Sequence, residues 1–202
     1  RRAYVNRCDI GGLPAGACGP AGESVTVTPL SLEYLLQAGG MAPRSLGLGL
    51  HQNLALGGSK GTAAAFEASR TGARRSYTAL RLNVSAAQPV FDDWQLALRA
   101  AAQYTPDALV TGEQFGAGGA GSVRGYEERE VIGDSGAQAM LELGSPALFG
   151  ELLPSGASLR MLSFLDAGLV ANHGDAPCAD LRTHCSVAAL GVGARLALGR
   201  VQ

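Results

Sequence analysis

Four groups of residues in this chain have types and spacings that could do chemistry. The first is Gly116, Gly118 and Gly121, a G-x-G-x-x-G run within QFGAGGAGSVRGYEE at 114–128. Glycines so spaced close backbone N–H groups around a phosphate only where a buried strand precedes them and an amphipathic helix follows. Here RGYEEREVIGDSG follows, with no apolar stripe at helical spacing and a stop at Gly133-Asp134. A nucleotide site is set aside on that ground, and no cofactor is expected. The second group is Cys8, Cys18, Cys178 and Cys185, which lack the C-x-x-C spacing of a four-thiolate zinc site. The third is His51, His173 and His184, which form no H-E-x-x-H or similar ligand set. No metal is expected, and solvated surface is the role assigned to these histidines. Serine, histidine and aspartate also fall in no nucleophile elbow or triad spacing, so the chain reads as a non-enzyme. The fourth group is one cation and two anions: Arg124 in SVRGY, Glu142 in MLEL and Asp166 in FLDAG. What these three can do depends on the elements that carry them.

Those elements are strands. In WQLALRAAAQY at 94–104, Trp94, Leu96, Leu98, Ala100, Ala102 and Tyr104 fall on one face and Gln95, Arg99 and Gln103 on the other. The apolar face begins and ends with an aromatic, as membrane-barrel strands do at the two interfaces. The alternation recurs. Leu46, Leu48, Leu50, Leu54 and Leu56 oppose Ser45, His51 and Asn53, while Leu80, Leu82 and Val84 oppose Tyr77, Arg81, Asn83 and Ser85. Ala137, Ala139, Leu141 and Leu143 oppose Gln138 and Glu142, and Leu159, Met161, Leu165 and Leu169 oppose Arg160 and Asp166. Leu190, Val192, Leu196 and Leu198 oppose Gly191, Gly193 and Arg195.

Each segment is about ten residues, the length of a tilted strand crossing a bilayer. A soluble sandwich alternates too, but its core favours Val, Ile and aromatics. Here the apolar faces are Leu and Ala, and the opposite faces are Gly, Ser, Gln and single Arg. Lys60 is the only lysine of 202 residues. With 47% apolar residues, near-balanced charge and no apolar run near the ~18 residues of a spanning helix, the pattern predicts an all-β transmembrane antiparallel barrel and no nucleic-acid partner. Eight strands are expected, near 1–7, 25–36, 45–56, 77–87, 94–104, 137–143, 159–169 and 187–198.

Connections alternate between short (39–44, 89–93, and a moderate 147–157) and long (8–24, 57–76, 105–135, 172–186). Outer-membrane barrels pair short periplasmic turns with long outer loops. Both cysteine pairs fall in long loops, and local pairs on an oxidising exterior read as the disulfides Cys8–Cys18 and Cys178–Cys185. The longest loop, 105–135, is the one expected to carry function. Glu142 and Asp166 stand on the polar faces of the strands that follow it, and a carboxylate at membrane depth needs a partner. Arg124 supplies one if the loop folds back inside. Gly118, Gly119, Gly121 and Gly125 would permit the tight path. The alternative is an exterior loop with a solvated arginine.

EQFGAGGAGSVRGYEE, GDSGAQAMLELGSP and LSFLDAGLV, in that order, resemble three successive blocks of the two-partner secretion transporters, the haemolysin-activating and haemagglutinin-exporting TpsB group. The resemblance covers 89–198 by motif and 1–88 by strand patterning alone. It implies that Val123, Arg124, Gly125 and Tyr126 form the tip motif of a loop inserted in the lumen. It also implies that Arg124 pairs with Asp166 beside Glu142, and that Phe164 and Gly168 complete the wall block. The family builds sixteen strands behind periplasmic POTRA modules. The chain is therefore expected to be part of a single barrel domain, 1–202, without those modules, the first strands or the last hairpin.

The function so implied is a passive pore in the outer membrane of a Gram-negative cell. It would carry an unfolded secreted partner protein from periplasm to surface, with the lipid bilayer as a second contact and lipopolysaccharide as a further candidate. A barrel-assembly insertase of the same superfamily, which the number of periplasmic modules would distinguish, and a small structural or adhesin barrel are the alternatives.

Overall fold

The computed structural model describes residues 2–5, 24–148, 157–174, 176–178 and 182–198. Its main body is one seven-stranded antiparallel sheet: β3 (Pro29–Ala38), β4 (Arg44–Asn53), β5 (Thr78–Pro89), β6 (Gln95–Tyr104), β9 (Ser135–Gly144), β10 (Ser158–Ala171) and β11 (His184–Ala197). Neighbours in sequence are neighbours in the sheet, and β6 pairs with β9 across the long loop between them. The sheet is open, with β3 and β11 at its edges.

Register turns the alternation of each strand into two faces of the sheet. One cross-strand row runs Leu36–Leu46–Val84–Ala100–Ala139–Ala167–Ala188, without a polar residue. A second runs Leu98–Leu141–Leu165–Leu190. These side chains face away from the protein: Leu190 is 81% and Leu165 53% exposed. The intervening positions form the other face, on which the 105–135 loop lies; beneath the loop Gln103, Gly168 and Val170 are buried and Asp166 fully so. The apolar face is thus outermost and the polar face inward, the reverse of a water-soluble sheet and the arrangement a lipid surround requires. Among the described residues no helix is long and apolar enough to cross a membrane.

Three expected strands differ. The segment expected at 25–36 is β2 (Ser24–Val27) followed by β3, interrupted at Thr28. Pro29 has no N–H to give a ladder, and the Thr28 N–H goes to Asn53 Oδ1 at 2.6 Å. The first strand is described over Arg2–Val5 (β1), and it pairs with β2 in a separate two-stranded sheet and not with the seven-stranded one. Leu54 and Leu56, read as strand, lie past the end of β4. There the Leu56 N–H returns to the Leu54 carbonyl at 2.7 Å, a local turn that ends the ladder. The short turn at 89–93 has Asp92 and Asp93 at φ 45° and 63°, and the Trp94 N–H meets the Phe91 carbonyl at 2.9 Å. Positive φ at both central residues suits the twist of a two-residue hairpin.

Residues of the loops 57–76 and 105–135 enter two apolar clusters. The first joins Val25, Val27, Phe66, Ala73, Tyr77, Leu109 and Val110. Phe66 comes from a short helix, α1 (Ala63–Ser69), whose N-cap Thr62 accepts the Ala65 N–H. The second joins Ala117, Val123 and Val131 of the long loop to Val170 of β10 and Val187 of β11. Inside the loop, β7 (Phe115–Ala117) and β8 (Val131–Gly133) form a small hairpin that carries the tip against the sheet.

Candidate functional site

Arg124 lies on the inner face of the sheet. Its Nε donates to Asp166 Oδ2 at 2.7 Å, its Nη2 to Oδ1 at 2.9 Å, and its backbone N–H to Oδ2 at 3.1 Å. Its Nη1 reaches Glu142 Oε2 at 2.9 Å. Asp166 is wholly buried and the Arg124 side chain is 22% exposed. The paired donors of a guanidinium match both oxygens of a carboxylate, giving direction as well as charge. The hydrogen bonds to Asp166 push the guanidinium above its already high pKa, so it stays a cation throughout the accessible pH range.

The wall is shaped to receive this group. Phe164 stands opposite Glu142 on β9 and Gly191 on β11, and the Arg124 Cζ lies 3.6 Å from its ring centre. A Cβ at position 191 would run into the Phe164 ring, so Gly191 lets that ring lie against the wall as a platform. A Cβ at Gly168 would stand 2.6 Å from the Ala117 Cβ and 3.2 Å from Val123 Cγ2. Its absence brings the loop directly onto β10. Val123 is fully buried in the second cluster, and the Tyr126 hydroxyl donates to the Ala188 carbonyl at 3.1 Å.

Gly118, Gly119 and Gly125 have φ of 120°, 104° and 91°, values side chains avoid. Gly121 has open space and no such constraint, so the G-x-G-x-x-G spacing reflects no common geometry. Glu142 serves two cations, since Arg195 on β11 reaches its Oε1 at 2.7 Å.

A second ion pair was not foreseen. Arg70, just past α1, binds Asp134 with both terminal nitrogens, at 2.7 and 3.0 Å. Asp134 is fully buried and also accepts the backbone N–H groups of Leu109 (2.9 Å) and His173 (2.8 Å). Asn172 Oδ1 accepts from Arg70, Gln114 and the Asp134 N–H. Three long loops, 57–76, 105–135 and 172–186, meet there. Two of the histidines read as solvated surface prove to be structural: His51, 8% exposed, bonds Ser31 Oγ at 2.7 Å, and His173 Nε2 lies 2.6 Å from the Thr105 carbonyl. Each fills a hydrogen-bonding need that a strand pattern does not display. Cys178 and Cys185 are joined by a disulfide within the last long loop, while Cys8 and Cys18 lie outside the described residues. No cluster of His, Cys, Asp and Glu suited to a metal occurs among the described residues.

The family model of the haemolysin secretion/activation proteins ShlB/FhaC/HecB matches residues 24–196. Among solved structures the chain is similar to CdiB from Escherichia coli, with a TM-score of 0.66 and 23% identity. That likeness covers 86% of this chain and 31% of CdiB, so the chain spans about a third of that protein's length. No curated protein matches it in sequence. The chain is part of a transmembrane antiparallel β-barrel, and it belongs to the ShlB/FhaC/HecB family of haemolysin secretion/activation proteins.

Proposed function

We propose that this segment forms part of an outer-membrane pore that passes an unfolded partner protein from the periplasm to the cell surface. In this reading the 105–135 loop occupies the lumen and is held there by Arg124. The observation that carries it is the burial of Asp166 under a guanidinium from a loop thirty-one residues long by its bounds, 105–135, lying on the polar face. A narrow, side-chain-filled barrel would leave no room for such a loop. A lumen plugged by a loop held through a few charged contacts can be cleared without unfolding the wall. Lipid packs on the leucine and alanine rows of the other face, and no energy source is required of this segment. The test is Arg124→Ala in the full protein, followed by secretion of the partner and by heat-modifiability on gels. Export is expected to fall while the barrel still inserts. Normal export would remove the proposed role of the loop.

A further inference from the structure

The 105–135 loop descends through Glu113 and returns through Asp134, and the carbonyls of both residues converge on one wall side chain. Gln103 of β6, 5% exposed, donates from Nε2 to the Glu113 carbonyl and to the Asp134 carbonyl, each at 3.0 Å. A side-chain amide has two N–H donors on that nitrogen, and both are consumed. Its oxygen accepts Arg81 Nε from the adjacent strand β5 at 2.8 Å. Arg81 thereby fixes which way the amide points. Turned over, Gln103 would set its oxygen against two carbonyl oxygens and its NH2 against a guanidinium. The far end of Arg81 reaches Glu113 Oε2 at 3.0 Å, where the Glu113 side chain is 3% exposed.

We propose that Arg81, Gln103 and Glu113 are positioning residues that fix the root of the loop to β5 and β6, independently of the hold of Arg124 on β9 and β10. The two attachments share no side chain. At the root the loop contributes the acid and the wall the base, and at the tip the roles reverse. Between root and tip lie Gly118, Gly119 and Gly125 in backbone conformations open to glycine. The tip can therefore leave Asp166 while the root keeps the loop inside the barrel. This proposal rests on the pore reading above.

The test places a cysteine at Thr111, an exposed position two residues from Glu113 at the root, in the full protein in intact cells. A membrane-impermeant maleimide is added outside and the labelling rate followed, with heat-modifiability as the check on insertion. Arg81→Ala, Glu113→Gln and Gln103→Leu are each expected to raise the rate about tenfold, the change that about 1.4 kcal/mol in loop position would give. Arg81→Ala with Glu113→Gln should label no faster than either alone, since one pair is lost in each case. Arg124→Ala should stay near the parental rate although export fails. Glu113→Gln preserves shape and carries the test if Gln103→Leu does not insert. Parental labelling in Glu113→Gln, or an equal rise in Arg124→Ala, overturns the proposal. Normal export by Arg124→Ala would instead count against the pore reading and leave the root clamp standing on its labelling rates.

Discussion

Asp166 accepts three hydrogen bonds from a single residue, and none of its surface reaches solvent. Removing the partner of such a buried charge costs about 3–5 kcal/mol, whereas the intact pair is worth far less than its Coulomb attraction suggests. The pair is therefore better at fixing position than at adding stability. Arg124→Lys keeps the charge but loses the two-pronged fit and the guanidinium carbon over the Phe164 ring. Export is expected to drop well below the parental level in that variant, and near-parental secretion would show that charge alone suffices. Gly191→Leu should act from the opposite strand by pushing the Phe164 ring off the wall. Its expected signature is reduced export with normal heat-modifiability. Arg124, Glu142 and Asp166 were legible because each sits in a short motif, two of them on a polar strand face. Arg70, Arg81 and Glu113 were not. Their partners lie 64 and 32 residues away in sequence, and no local pattern marks either residue of such a pair.

Six of the seven main strands, β4 to β6 and β9 to β11, could be read from period-two alternation because lipid and lumen each select one side of every strand. Their ends were harder. Alternation ran on through Leu54 and Leu56, although the hydrogen-bond ladder had already turned back on itself. The helix α1 went unread because its single buried residue, Phe66, gives no repeat, though Thr62 stands three residues before Ala65 as a cap. The hairpin of β7 and β8, three residues each, is too short for any period to show. At this scale the Arg70–Asp134 knot is the informative device, since it ties three loops through one carboxylate. Asp134→Ala would strand the Arg70 guanidinium, 12% exposed, and free the Leu109 and His173 N–H groups. Faster cleavage of the outer loops by added protease in intact cells is expected, with the barrel retained. Unchanged protease resistance would show that the two apolar clusters suffice to order those loops.

For the molecule as a whole the decisive property is that an unbroken apolar row crosses its outward face on all seven strands. A charge placed there should be paid for by depth: about 2–4 kcal/mol for arginine at the bilayer midplane. Leu165→Arg is expected to lower the heat-modifiable fraction, and Asn83→Arg, on the inner face of β5, to leave it nearly unchanged. Equal effects at both positions would contradict the assignment of faces. The hold of Arg124 on Asp166 is the contact on which the pore reading turns, and a double-mutant cycle on partner secretion in intact cells tests it most directly. Arg124→Ala and Asp166→Asn should each impair export, and the combined variant should be no worse than the poorer single variant. Deficits that multiply, or a single variant that exports normally, would mean that Arg124 and Asp166 do not act as one unit.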